Sequence, residues 1–349
     1  MEKRVWHRRA SNGLGKIYET LWQNEKMQDK KGIVCVIHGK QGHSELYNYL
    51  FKALAEEGYV VCAQDIQGHG RSASIPGYFG DNDGFPAILH DLHRMLIQVK
   101  RWFPNLPLFF FGHSMGSFIA RDYVAEYTGE VNGLILSGTA GPSPLLHGSK
   151  GYLELQKAMR GGKADGSSEG RLMAKYFCRG LHNPESLGDW ICTKAEVIRR
   201  KIDDPLTVGF SLGAYRDLIE ELIKVNRISE ILKLKDIPIF FVSGGADPVG
   251  EYGKGPAYLY GILKEAGNKN LQLRIYPGLR HEVLNEDVRE EIIERIIRFL
   301  EENNEKKKEG KTMTTVINVN GMMCEHCKAT VEKVTKAVEG VSNSIVNLD

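Results

Sequence analysis

The sequence has little cysteine, no long apolar run and no excess of charge of either sign. Six cysteines in 349 residues fall far below the density of a disulfide-stapled scaffold, and Cys35 and Cys62 sit inside apolar runs where a reduced thiol packs as a small hydrophobe. A reducing cytoplasm is therefore the expected compartment. The longest apolar stretches, such as residues 108–111 and 237–242, stop well short of the ~18 residues that would span a bilayer. Any membrane contact is expected to be peripheral. The amino terminus, Met1-Glu-Lys-Arg-Val-Trp-His-Arg-Arg, lacks the apolar core of a secretory signal. Lys and Arg number 46 against 44 Asp and Glu, a formal charge of +2, which leaves no basic footprint for nucleic acid. What is present is ordinary for a globular chain: 42% hydrophobic and 26% charged residues, enough to bury a large core.

Hydrophobic patterning organises the chain. Two strand-like runs, 5–9 and 16–23, flank a Ser11-Asn12-Gly13 turn and predict an opening hairpin. Strands 32–37, 59–64, 106–111 and 131–136 then alternate with helices 45–57, 85–103 and 117–127. Continuous apolar strands alternating with amphipathic helices imply a mostly parallel sheet covered on both faces. From about 141 to 235 the alternation gives way to helical patches, which reads as an inserted helical cap. Strands resume at 237–243 and 271–276 around a helix at 256–267. Val288, Ile292, Ile296 and Leu300, at helical spacing, close the sheet. The first domain is thus expected to span residues 1–302, followed by a charged, solvated linker at 303–312 and a strand, helix, strand unit at 313–349.

Gly112-His113-Ser114-Met115-Gly116 stands where a predicted strand meets a predicted helix. The string alone would occur by chance in about one chain in ten, so the strand-turn-helix context carries the argument. A sharp turn there strains the serine and exposes its hydroxyl, while the flanking glycines let strand and helix approach. A serine hydroxyl is a poor nucleophile near neutral pH and needs a base, and the base needs an orienting group. Strand 237–243 delivers Asp247 and strand 271–276 delivers His281, giving the order Ser, Asp, His that suits this turn on this sheet. Asp65 also follows a strand but precedes the serine and reads as structural. The oxyanion of acyl transfer needs two N–H donors, expected from Met115 and from Lys40 in the loop Val36-Ile37-His38-Gly39-Lys40-Gln41-Gly42.

These residues carry a resemblance. Val36-Ile37-His38-Gly39, Asp65-Ile66-Gln67-Gly68-His69-Gly70-Arg71-Ser72, the Ser114 pentapeptide, Ser243-Gly244-Gly245-Ala246-Asp247-Pro248-Val249-Gly250 and Tyr276-Pro277-Gly278-Leu279-Arg280-His281-Glu282 together resemble the α/β-hydrolase superfamily. Within it they are most similar to the serine hydrolases grouped with monoacylglycerol lipases and lysophospholipases. The resemblance implies an α/β-hydrolase fold, a Ser114, Asp247, His281 triad, an oxyanion hole at Lys40 and Met115, and a cap over an acyl-binding cleft. It implies hydrolysis of a small-molecule acyl ester through an acyl-Ser114 intermediate with no cofactor. Lys40 departs from the small residue common at that place. Competing readings keep the site for aminoacyl amides or thioesters, or make the fold a non-catalytic binding protein.

In the tail, Gly321-Met322-Met323-Cys324-Glu325-His326-Cys327 resembles the heavy-metal-associated domain of copper chaperones. That likeness implies a ferredoxin-like βαβ fragment binding Cu(I) through Cys324 and Cys327, whose soft thiolates suit a soft cation. The fragment is about half the usual domain, and a partly folded tail is the competing reading. His90 and His93 lack a completing ligand and read as a solvated helix face; Cys178 and Cys192 read as packing residues.

Overall fold

The computed structural model describes residues 1–81, 84–309, 325–336, 338 and 346. The chain divides into one compact unit, Met1–Lys306, and a second, Lys307–Asp349.

The first unit opens with the hairpin β1 (Glu2–Arg9) and β2 (Lys16–Gln23), paired antiparallel from Glu2↔Gln23 to Arg9↔Lys16. The alternation follows as β3 (Gly32–Ile37), α1 (Asn48–Glu56), β4 (Tyr59–Gln64), α2 (Gly84–Trp102), β5 (Leu108–His113), α3 (Met115–Glu126) and β6 (Gly133–Ser137). The inserted cap supplies α4 (Leu145–Arg160), α5 (Ser167–Cys178), α6 (Ala195–Asp203), α7 (Leu212–Val225) and α8 (Ile228–Leu232). Then come β7 (Ile239–Gly244), α9 (Lys254–Glu265), β8 (Leu271–Tyr276) and α10 (Arg289–Glu309). The eight strands form one sheet in the order β1-β2-β4-β3-β5-β6-β7-β8, parallel from β4 to β8.

Strands β3, β4, β5, β6 and β7 are buried at every position, as a sheet covered on both faces requires. Alternation along β3 separates two cores. Ile33, Cys35 and Ile37 belong to the core shared with α2, α3 and α9, while Val34 and Val36 belong to the one shared with α1 and α10. Cys35 and Cys62 are free thiols opposite one another in the β3–β4 register. No described helix is long and apolar enough to cross a membrane.

Several expectations shift. β5 and β7 each begin two residues later than the apolar runs suggested, just after Pro107 and Pro238; proline cannot donate a ladder hydrogen bond. The region expected to be a solvated linker is helical as far as Glu309, because its Glu and Lys residues favour helix and no glycine intervenes before Gly310. Asn303 is buried and donates to Phe299 O at 2.7 Å, and Asn304 donates to Lys31 O at 2.7 Å. His93 is not on a solvated face: its ring stacks on Tyr127 with centroids 4.0 Å apart, and its Nδ1 meets Tyr123 Oη at 2.8 Å. His90 is exposed.

In the second unit one helix is described, α11 (Glu325–Lys336). The two strands expected in the unit at 313–349 fall outside the described residues, except for Val346, which is not in a strand.

A tight constraint lies where α3 leaves β5. A Cβ on Gly116 would lie 2.1 Å from the Ile37 carbonyl oxygen, and one on Gly112 would lie 2.5 Å from the Gly116 carbonyl oxygen. Both meet backbone, which cannot swing aside. Gly116→Ala is expected to destabilise the protein by about 2–3 kcal/mol, read as a lowered urea midpoint; an unchanged midpoint would contradict this packing.

Candidate active site

Because β3, β5, β7 and β8 run parallel, their carboxyl ends lie at one rim, where open α/β sheets bind ligands. Ser114 follows β5 with φ 53° and ψ −122°, a left-handed backbone that a side chain rarely adopts. Its amide donates to Ser137 O at 2.9 Å, and its carbonyl accepts from Ser117 Oγ at 2.6 Å. These bonds fix the strained turn between β5 and α3.

Asp247 leaves the end of β7 and is fully buried. One carboxylate oxygen accepts from the Val249 amide at 2.9 Å, and the other faces His281 Nδ1 at 3.0 Å. That pairing fixes the proton on Nδ1 and leaves the Nε2 lone pair available. His281 Nε2 is buried with no hydrogen-bond partner. Ser114 and His281 line one cavity of about 650 Å³, although no hydrogen bond joins them; such bonds tighten when substrate binds. The imidazole packs between His113 and Trp190, with ring centroids at 4.8 and 5.3 Å.

Gly39 and Gly42 close a tight turn after β3, with the Gly42 amide on Gly39 O at 3.1 Å. The turn presents Lys40. No protein acceptor is found among the described residues for the backbone amide of Lys40 or of Met115. The Lys40 side chain is half-buried: Nζ donates to Gln41 Oε1 at 2.7 Å and stands 5.5 and 5.4 Å over the rings of Phe210 and Tyr215. Burial, with the charge of Lys201, brings its ammonium down to about 7.

Asp65 is structural, as expected. Its carboxylate accepts from the Ser44 amide and hydroxyl at 2.8 and 2.6 Å and from the Arg71 amide at 2.8 Å, tying two rim loops together. Cys178 and Cys192 are buried free thiols. Cys324 and the side chain of Cys327 lie outside the described residues; among those described, no group of three His, Cys, Asp or Glu is placed to hold a metal.

Sequence reasoning missed the cap's share of the site. Trp190, Ile191, Val197 and Lys201 line the same cavity as Ser114, and Lys201 pairs with Glu282, next to His281 in sequence. Glu282 was visible beside the histidine. Nothing local marks Lys201, one of several cations on α6.

An eight-stranded, mostly parallel sheet with a strained serine after β5 and a carboxylate-paired histidine after β8 defines an α/β hydrolase of the serine type. The chain belongs to the serine aminopeptidase S33 family, which it matches over residues 28–288. It is 26% identical to monoacylglycerol lipase of Mycolicibacterium smegmatis, covering 80% of this chain and 91% of that one. Human monoglyceride lipase is 28% identical, covering 74% and 78%. Among solved structures, a thermostable carboxyl esterase from Bacillus coagulans in complex with glycerol superposes with a TM-score of 0.81 at 30% identity, covering 87% of this chain and 99% of that one.

The electrostatics of the rim set a stability profile. Burial holds the His38, His69 and His113 imidazoles at about 3, against an ordinary 6.5. Burial alone would raise the Glu282 carboxyl, but the charges of Lys201, His113 and His281 overrule it and hold it at about 2. Between about 3 and 6.5 these three histidines bind more protons in the unfolded chain than in the folded one, so their contribution to stability is full above about 6.5 and is lost as pH falls. Glu282 adds to the loss below its ordinary 4.5. Urea midpoints are expected to drop steadily from pH 7.5 to pH 4.5; a flat profile over that range would contradict the neutral buried histidines.

Proposed function

We propose that the chain hydrolyses carboxylic esters of a single acyl chain, monoacylglycerol or lysophospholipid, through an acyl-Ser114 intermediate. The observation that carries this reading is the His281 imidazole, held through Nδ1 by buried Asp247 while Nε2 stays unpaired in the cavity that Ser114 lines. Ser114 Oγ attacks the ester carbonyl and His281 Nε2 takes its proton. Asp247 stabilises the imidazolium and keeps the correct tautomer. The oxyanion accepts from the amides of Lys40 and Met115, each such donor contributing about 3 kcal/mol to the barrier reduction. Collapse breaks the ester C–O bond, His281 protonates the departing alcohol, and water repeats the sequence to free the acid. No cofactor enters any step. The names of the relatives, two monoglyceride lipases and an esterase crystallised with glycerol, support a glyceryl ester. The family description supports aminoacyl amides as the competing substrate.

A fluorophosphonate probe should label the wild type and leave Ser114→Ala unlabelled. A panel of acylglycerols, lysolipids, short aryl esters and aminoacyl amides should show turnover of the lipid esters, falling about 10³-fold or more in Ser114→Ala. Turnover confined to aminoacyl amides would reject the lipid assignment.

For the tail, the proposal is Cu(I) binding by Cys324 and Cys327 on the likeness stated above. Titration of the full chain with Cu(I) should saturate at one equivalent on this pair, and Cys324→Ser should abolish it; undiminished binding in the variant removes the pair as ligands.

A further inference from the structure

A polar seam joins the cap to the loop that carries His281. The Arg280 guanidinium donates to the carbonyls of Asp189 and Cys192 at 2.6 and 2.9 Å. The His281 and Glu282 amides donate to the carbonyls of Trp190 and Ile191 at 3.3 and 2.7 Å. In the opposite direction, the Thr193 amide donates to the Glu286 carboxylate at 2.8 Å. At the inner end of the seam, Lys201 on α6 pairs with one carboxylate oxygen of Glu282, while Asn285 Nδ2 donates to the other at 2.7 Å. The two side chains of the ion pair are only 17% and 11% exposed, and both line the cavity that holds Ser114 and His281.

A buried ion pair is weak evidence of net stabilisation, because desolvation of both charges offsets their attraction. The hydrogen bonds of the seam already join the cap to the histidine loop without it. What the pair adds is charge beside an imidazole that must become cationic. Against that imidazole stand the Asp247 carboxylate and the buried His113 ring, and the Glu282–Lys201 pair lines the same cavity, with Glu282 next in sequence and within reach of the histidine's charge.

We propose that Lys201 and Glu282 are positioning residues for His281. Lys201 anchors Glu282 to the cap, and the two opposite charges offset each other beside the imidazole, so that neither biases it. This rests on the triad reading. The cap thereby acts on the chemistry as well as on the shape of the cleft. If Lys201 is removed, an unpaired carboxylate remains and favours the imidazolium. Removing Glu282 leaves an unpaired ammonium that disfavours it.

The test is the pH dependence of kcat/KM for a short aryl ester, measured for the wild type, Lys201→Met, Glu282→Gln, the double variant and Lys201→Arg, with melting temperatures recorded alongside. The acid limb should move up by about half a pH unit or more in Lys201→Met and down by a similar amount in Glu282→Gln. It should return toward the wild type in the double variant and in Lys201→Arg. Limbs that stay in place, or move in the same direction in both single variants while only the melting temperature falls, would overturn the proposal. Should Lys201→Met fail to fold, Glu282→Gln and the double variant decide it by the same criterion. Fluorophosphonate labelling of the wild type separates the two levels: no labelling overturns the triad reading and this proposal together, whereas labelling with unmoved limbs overturns this proposal alone.

Discussion

The contact on which the site depends is the approach of α3 to the end of β3, closer than any side chain permits. Gly116 has room only for hydrogen against the Ile37 carbonyl, and Gly112 only for hydrogen against Gly116. With strand and helix pressed together, the residue between them is forced into a left-handed backbone, and Ser114 takes it at φ 53°. The strain is held by the Ser137 and Ser117 hydrogen bonds. The same compression places the free amide of Met115 at the start of a helix, beside the loop that presents Lys40.

Around that turn the sheet acts as a ruler. Parallel strands end at one rim, so residues separated by more than a hundred positions arrive together: Ser114 after β5, Asp247 after β7 and His281 after β8. Burial then sorts their charges. His38, His69 and His113 stay neutral near the rim, while Asp247 faces His281 through a 3.0 Å contact. The cap completes the enclosure with Trp190 against the imidazole and Lys201 against Glu282, so the histidine loop is gripped from both sides.

Much of the fold was legible because parallel strands buried on both faces must be continuously apolar. Strands 32–37 and 59–64 fall where the apolar runs placed them, and the half-buried edge strand 271–276 also lies at its expected bounds. Prolines moved the starts of β5 and β7, since a residue without an N–H cannot extend a ladder. The end of α10 was misread for the opposite reason: a run without apolar residues is not a run without helix propensity, and Asn303 and Asn304 use their amides to bind carbonyls of the folded unit. His93 was misplaced because helical spacing shows which residues share a face and not which aromatic rings, here Tyr123 and Tyr127, a neighbouring helix brings against it.

The sequence by itself determined the serine turn, the order of serine, aspartate and histidine, and the loop after β3 that presents Lys40, because each is written in a short string next to a strand end. Tertiary structure alone decided what faces His281. Lys201 lies 81 positions away from Glu282, on a cap helix whose other cations look no different in sequence. Trp190 reaches the imidazole only because the cap folds back over the rim. Local strings encode backbone turns, whose strain is set by adjacent residues; the charge and packing around a side chain are set by whichever segments the fold brings next to it.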